Sequence, residues 1–336
     1  MHAPFTIELT QGCTVGCWFC GVDAENFQKP VELSEAKKEL FEEIIDSFKT
    51  IAGEEAAQHG FLYWATDPLD HPEYEWFLRS FYKKLKYWPQ TTTAQGMKHA
   101  ERLKKLFADT KDLNSFVQRF SMIKKKDLKD IREYFTPEEL FLCEQIAQYD
   151  NEISPKATAG RTRKIAMKKE KEGKKVGFRY NLEETGSIAC VSGFLLNMVD
   201  QSIKLITPCL ATDQWPLGYR ILGQEVLENG KVNETISKLL ENSIKANLNP
   251  SDVIKIQRGI EVTAPEETKL AFTKYGHTVL LHNIAKASEV AEALRGKEKT
   301  LIEICGIMSD NDVSNIDTMI MLYKIRELGI LDESVD

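Results

Sequence analysis

The chain has 336 residues, 42% hydrophobic and 28% charged, which is enough for a sizeable core and, at roughly 150 residues each, for about two domains. Lys and Arg number 44 against 51 Asp and Glu, a net charge of -7, which argues against a general nucleic-acid binder, whose domain should be basic. No apolar run of about 18 residues is present to span a membrane. Met1-His-Ala-Pro-Phe5 lacks the basic-then-apolar pattern of a signal peptide. A cytoplasmic, reducing location follows, and in it seven cysteines read as ligands or catalytic thiols rather than a disulfide framework.

Phe5-Thr-Ile-Glu-Leu-Thr10 predicts a short strand ending at a Gly- and Cys-rich turn. Ser34 is a fitting N-cap for a helix to Ile51, in which Leu40, Ile44, Ile45 and Phe48 recur at helical spacing. Phe61–Thr66 reads as a buried strand, followed by a Pro-interrupted loop and an aromatic-rich helix from Glu73 to Tyr87. Thr91–Gln95 is a third strand, Lys98–Ala108 its helix, and Phe116–Met122 a fourth strand. Strand and helix in alternation imply right-handed parallel crossovers and a parallel sheet or partial barrel, with chemistry at the C-terminal strand ends. Thr136–Tyr149 predicts a further helix.

Between Lys156 and Lys175 nine Lys and Arg stand against Glu170 and Glu172. Such a run reads as a solvated helix or loop, and alternatively as a lid or docking surface for an acidic peptide. Gly186–Leu196 and Ile203–Thr207 flank a hairpin turn, and Asn229–Asn249 predicts a helix. Three short strands (Gly259–Val262, Leu270–Lys274, Thr278–Leu281) then precede three helices (Ala287–Leu294, Leu301–Met308, Ile316–Leu328). That order is a winged-helix arrangement, with a helical cap as the plainer alternative. The expected organisation is a catalytic domain over 1–225 with a basic insertion at about 150–178, a helical linker over 226–254, and a winged-helix-like α+β domain over 255–336.

The strongest motif is Gly12-Cys13-Thr-Val-Gly16-Cys17-Trp-Phe19-Cys20-Gly21. Three cysteines at CxxxCxxC spacing can turn three thiolates towards one iron–sulfide cube and leave one iron open. Zinc on Cys17 and Cys20 would need two further ligands at ligand spacing, and a thioredoxin-type pair leaves Cys13 unexplained. The run resembles the radical S-adenosylmethionine superfamily, whose loop is CxxxCxφC with an aromatic φ, here Phe19. The resemblance implies an α/β fold, a partial (β/α)6 TIM-like barrel. It also implies one [4Fe-4S] cluster on Cys13, Cys17 and Cys20, with S-adenosyl-L-methionine on the open iron. Reductive cleavage would yield a 5′-deoxyadenosyl radical, with electrons from a donor such as flavodoxin or ferredoxin. Where superfamily members often carry Gly-Gly-Glu-Pro, this chain has Thr66-Asp67-Pro68. The resemblance gives Asp67 the task of binding the methionine amino group, and Asp67 as a plain loop cap before Pro68 is the alternative. Gln95, Arg119 and Ser121 are candidates for the ribose and carboxylate.

More narrowly, Ile7–Val22, Tyr63–Pro68 and Thr207–Arg220 resemble maturases of ribosomally made peptides, in particular proteusin-type epimerases and relatives acting on Nif11-type precursors. The C-terminal layout resembles the winged-helix precursor recognition element of such enzymes. A precursor peptide is then the partner, its leader held by the C-terminal domain, with room for a small accessory protein and no role for nucleic acid or membrane. Four cysteines remain, Cys143, Cys190, Cys209 and Cys305, separated by 47, 19 and 96 positions, too isolated for an auxiliary cluster. Cys209, after Pro208 and before a Trp-Pro-Leu-Gly loop, is the candidate hydrogen donor, with Cys190 as runner-up. No HxH or HExxH pair and no phosphate-cradling glycine loop is present. The expected activity is L-to-D epimerisation. A splicease that leaves a β-amino acid is the alternative within radical chemistry, and a metal-stabilised peptide-binding chaperone is the non-catalytic one.

Overall fold

The computed structural model describes residues 3–150, 156–176, 190–209, 211–243, 247–274, 276–295 and 298–332. The ends of the basic stretch (151–155 and 177–178), the start of the strand expected from Gly186 and positions 244–246 of an expected helix lie outside the described residues. The chain divides into two units, Met1–Ile244 and Lys245–Asp336.

In the first unit β1 (Ala3–Glu8) leads into the hairpin pair β2 (Thr10–Gln11) and β3 (Lys29–Pro30). α1 (Glu35–Ala52) follows, its first turn capped by Ser34 Oγ, which accepts from Lys37 N. After the short α2 (Glu54–Gln58), Phe61 makes one parallel bridge to Thr6. The stretch 61–66, expected as a full strand, extends no further as a ladder. The Thr6 hydroxyl donates to the carbonyls of Phe61 and Tyr63 at 3.0 and 2.6 Å, and Ile7 N also donates to Phe61 O at 3.0 Å. A 3-10 turn (Pro68–Asp70), α3 (Tyr74–Leu85), β4 (Thr92–Thr93), α4 (Ala100–Thr110), β5 (Gln118–Met122) and α5 (Lys125–Tyr134) continue the alternation.

The predicted helix over Thr136–Tyr149 is corrected by the structure: Cys143–Ala147 is a strand, β6, paired in parallel with β5. Its backbone groups are satisfied by the neighbouring strand, and that pairing overrides a weak local helical preference. The basic stretch forms α6 (Gly160–Lys171), and its first turns are not a solvated face: Thr162, Arg163 and Ala166 are buried.

β7 (Val191–Asn197) pairs in parallel with β1, whereas β8 (Ser202–Pro208) and β9 (Tyr219–Val226) extend that sheet antiparallel. The sheets are β1-β7-β8-β9 and β4-β5-β6. Among its described residues the unit is mixed α/β without a closed barrel; α6 follows β6 and leads to β7, and only after β7 does the strand–helix succession give way to an antiparallel meander. α7 (Val232–Ser243), expected in a linker, belongs to the first unit. Glu43 of α1 accepts from Gly230 N and Val232 N, and buried Val232, Ile236 and Leu239 join the core.

The second unit contains β10 (Val253–Ile254), the antiparallel sheet β11 (Glu261–Glu266), β12 (Lys269–Lys274) and β13 (His277–His282), then α8 (Ala287–Arg295), β14 (Lys299–Thr300), α9 (Leu301–Asp310) and α10 (Asn315–Glu327). Thr300 and Glu303 close a capping box on α9. Leu270, Phe272, Val290, Ile304 and Leu322 form its separate core. Among the described residues no helix is long and apolar enough to cross a membrane.

Side chains along β1 alternate. Phe5, Ile7 and Leu9 enter the core shared with α1 and α3, where Phe5 stacks on Phe48 at 4.1 Å. Phe5→Ala should cost about 3–5 kcal/mol, read as a drop in the urea midpoint with far-UV dichroism retained. A loss under about 1 kcal/mol would contradict this packing.

Candidate active site

The loop after β1 is built from the backbone outward. Cys13 N donates to Glu25 O at 2.9 Å and Phe27 N to Cys13 O at 3.2 Å, so the cysteine loop is closed at its base. Gly12 has φ +77, and a Cβ there would stand 2.3 Å from Asn26 O; this turn accepts only glycine. Thr14 N and Oγ1 donate to the Asp70 carboxylate at 2.9 and 2.6 Å.

Cys13, Cys17 and Cys20 are half-buried. Val15 N points at Cys13 Sγ (3.4 Å) and Ala24 N at Cys20 Sγ (3.2 Å), the amide-to-sulfur contacts that stabilise thiolate ligands of iron–sulfur groups. Burial raises the Cys13 thiol, and nearby Asp67 and Asp70 add to it. Cys17 is pushed up to about 12, by burial first and then by Cys13, Cys20 and Asp67. Cys17 is thus electrostatically coupled to both other sulfurs, and Cys13 and Cys17 carry charge only against a bound cation. Among the described residues no three Cys, His, Asp or Glu side chains converge on a single metal ion. An iron–sulfide cube takes its thiolates at separate corners and does not need them to meet at a point. The chemistry of the donor set fits such a cluster.

Asp67 is buried, and its carboxylate accepts from Leu69 N, Thr93 Oγ1 and Ala94 N at 2.8–3.1 Å. It caps the 3-10 turn and lashes that turn to the end of β4. Thr66 Oγ1 bonds Thr10 Oγ1. Gln95 is tied to the same end of the sheet: its amide donates to Asp70 at 2.8 Å and its oxygen accepts from Lys98 at 2.6 Å. Gln95 and Ser121 line a cavity of about 300 Å3. Arg119 lies outside that lining and is engaged by Glu144 at 2.6 Å and Gln90 at 3.0 Å.

A larger cavity, about 490 Å3, lies between the cysteine loop and the face of the sheet opposite the core, walled by Glu8, Gly12, Ala24, Trp64, Lys204 and Tyr219 among others. Sequence reasoning did not single out Glu8, Asn197 or Lys204. Burial raises the Glu8 carboxyl, although Ala65 N (2.7 Å) and Asn197 Nδ2 (3.1 Å) hydrogen-bond it. The available signal was an acid between Ile7 and Leu9, in a strand whose alternate positions are apolar. Phe19 packs edge-on against Trp18, and the Lys156 ammonium sits 5.0 Å above its ring while donating to Gln148 at 2.7 Å.

Cys209 is half-buried, and its N donates to Gly218 O at 3.0 Å. Pro216, Leu217 and Tyr219 from the same turn line the larger cavity. Cys190 is exposed just before β7, and neither it nor Cys209 is among the residues that line the cavity. Cys143 is on β6, its thiol pushed up to about 12 by burial, and Cys305 lies in α9.

No protein-family model matches the chain. It is 32% identical over 337 residues to an uncharacterized protein, y4wI, of Sinorhizobium fredii (strain NBRC 101917 / NGR234). The alignment takes in all of this chain and 64% of that relative, so the chain spans less than two thirds of the relative's length. Among solved structures, the crystal structure of BtrN in complex with AdoMet and 2-DOIA superposes with TM-score 0.43 at 11% identity, over 72% of this chain and 88% of that one.

Burial pushes the Asp67 carboxyl up to about 6 from 3.8, against the hydrogen bonds that lower it. The folded state therefore binds more protons than the unfolded state between those values, and stability falls as pH rises through that window. The loss should be on the order of 2–3 kcal/mol. Asp67→Asn should flatten this part of the urea-midpoint profile between pH 4 and about 6. Parallel profiles for the two proteins would contradict the shift.

Proposed function

We propose that this chain is a radical S-adenosylmethionine enzyme that alters a ribosomally made precursor peptide, by L-to-D epimerisation at α-carbons. The observation that carries the reading is the loop at 12–27: three thiols in one neighbourhood, two of them met by backbone N–H groups, beside a cavity large enough for a peptide residue. Cys13, Cys17 and Cys20 would hold a [4Fe-4S] cluster. With S-adenosylmethionine bound, that group supplies an adenosyl radical able to take an α-hydrogen.

The chain's own residues do the rest. Trp64 and Tyr219 wall the cavity and exclude water, and Glu8 and Lys204 present polar ends to what enters. Phe19, Thr66 and Asp67 with Gln95 and Ser121 form the cofactor side, and Arg119 stiffens the sheet beneath it through Glu144. Cys209 holds the hydrogen to be returned. The turn that Cys209 anchors forms part of the cavity wall.

The second unit is proposed to hold the leader segment. β13 is an edge strand of its sheet, with Val279 and Leu280 exposed at 42% and 45%. An exposed apolar edge of this kind pairs readily with an added strand.

Cys13→Ala, Cys17→Ala and Cys20→Ala should each abolish the brown cluster absorbance and all S-adenosylmethionine cleavage; full cleavage in any of them sinks the radical reading. Incubated anaerobically with its precursor in D₂O, the reconstituted protein should add deuterium with no other mass change, whereas splicing would remove a large fragment. Cys209→Ala should still release 5′-deoxyadenosine yet form no D-residue, and epimerisation at the wild-type rate would remove Cys209 from the role. Deleting 245–336 should weaken leader binding by calorimetry and spare uncoupled cofactor cleavage. Unchanged leader affinity would refute the recognition role.

A further inference from the structure

The first turn of α6 grips the cysteine loop. Gly160 sits so close that a Cβ on it would stand 2.2 Å from Gly21 O and 2.8 Å from Cys20 O, and its φ of +54 is itself a glycine conformation. Its N donates to Pro216 O at 2.8 Å, and Arg161 N donates to Cys20 O at 2.9 Å.

The Arg161 guanidinium spends all three nitrogens on the same loop. Nη1 donates to Cys17 O (2.8 Å), Nη2 to Ala24 O (2.5 Å) and Nε to Asp23 Oδ1 (3.3 Å). Lys164 pairs with the other Asp23 oxygen. Arg163, buried, pairs with Asp213 at 2.5 Å. One helical turn thus binds both the thiol-bearing loop and the 211–218 turn that lines the larger cavity.

From this geometry we infer that Arg161 is a positioning residue. It fixes the 17–24 segment so that Cys17 and Cys20 keep their places, and it puts a permanent positive charge beside them. The inference rests on the reading of Cys13, Cys17 and Cys20 as cluster ligands. The fork matters because a planar guanidinium holds two carbonyls at once, which a lysine ammonium on a flexible stem does not do in fixed geometry. The charge matters because cluster potentials depend on nearby charge and hydrogen bonding. A cation stabilises the more negative, reduced form, so its removal moves the midpoint potential to more negative values.

The test uses the full chain, reconstituted anaerobically with iron and sulfide. Arg161→Gln removes charge and fork, Arg161→Lys removes the fork alone, and Lys168→Gln removes one exposed charge two turns further along the same helix. The readouts are bound iron, cluster half-life in excess chelator, midpoint potential by redox-poised spectra, and far-UV dichroism. Arg161→Gln should shorten the half-life by about 10-fold or more, in line with the loss of supporting groups at metal sites, and shift the potential to more negative values. Arg161→Lys should lose its cluster faster than wild type while keeping a near-wild-type potential. Lys168→Gln should match wild type in both.

An Arg161→Gln protein with wild-type half-life and potential overturns the assignment, as does Lys168→Gln shifting the potential equally. Should Arg161→Gln lose its dichroism, Arg161→Lys decides alone, and a wild-type half-life in it is refutation. A wild-type chain that takes up no iron overturns the ligand reading itself, and this outcome is distinguishable because it precedes any comparison of variants.

Discussion

Alternation along β1 constrains everything around the candidate site. Phe5, Ile7 and Leu9 are driven into the core against α1 and α3, and the pleat then leaves Thr6, Glu8 and Thr10 on the other face. A shift of one residue would turn three large apolar side chains onto the polar face and bury two threonines and an acid in hydrocarbon. The register is therefore strongly fixed, and with it the point where Gly12 turns and the cysteine loop begins. Parallel pairing with β7 and the single bridge to Phe61 hold the strand from both sides.

The polar face of β1 is workable because its groups are met. The Thr6 hydroxyl donates to two carbonyls, Glu8 accepts from Ala65 N and Asn197 Nδ2, and Thr10 meets Thr66. Burying such groups unpaired costs several kcal/mol each on transfer scales, so the network is what allows a polar cavity inside a small α/β unit. The same accounting explains Asp67 and Asp70. One stitches the 3-10 turn to β4, the other stitches the cysteine loop to Gln95. Loops that would otherwise move independently become one rigid rim.

Local periodicity made much of this legible. The Ser34 cap with Leu40, Ile44, Ile45 and Phe48 announces α1, and the strands and helices of 261–327 fall close to their expected positions. Asp67 before Pro68 is readable as a cap, and it is one. β6 is not readable as a strand, because Cys-Glu-Gln-Ile-Ala carries no firm period and its conformation is set by β5. Nor does the basic run reveal Arg161. Its partners are two main-chain carbonyls and one aspartate more than 130 positions away, at separations of 144, 137 and 138. Backbone acceptors have no residue identity, so composition marks such an arginine only as one positive charge among several.

A loop fixed in this way changes what metal binding has to accomplish. In a free peptide, ordering three cysteines costs roughly 1–2 kcal/mol of backbone entropy per residue, and the metal must supply all of it. Here the backbone is already held by Glu25, Asp70 and Arg161, so that cost is met in folding. What remains is proton release. Burial raises Cys13 and Cys17, the latter to about 12, so these two arrive as neutral thiols and each must lose its proton to bind. Cluster assembly on this loop is thus driven forward by rising pH and by the N–H groups of Val15 and Ala24 that wait at the sulfurs. The same burial that disfavours a bare thiolate strengthens its attraction to iron, since the surrounding dielectric is low for both.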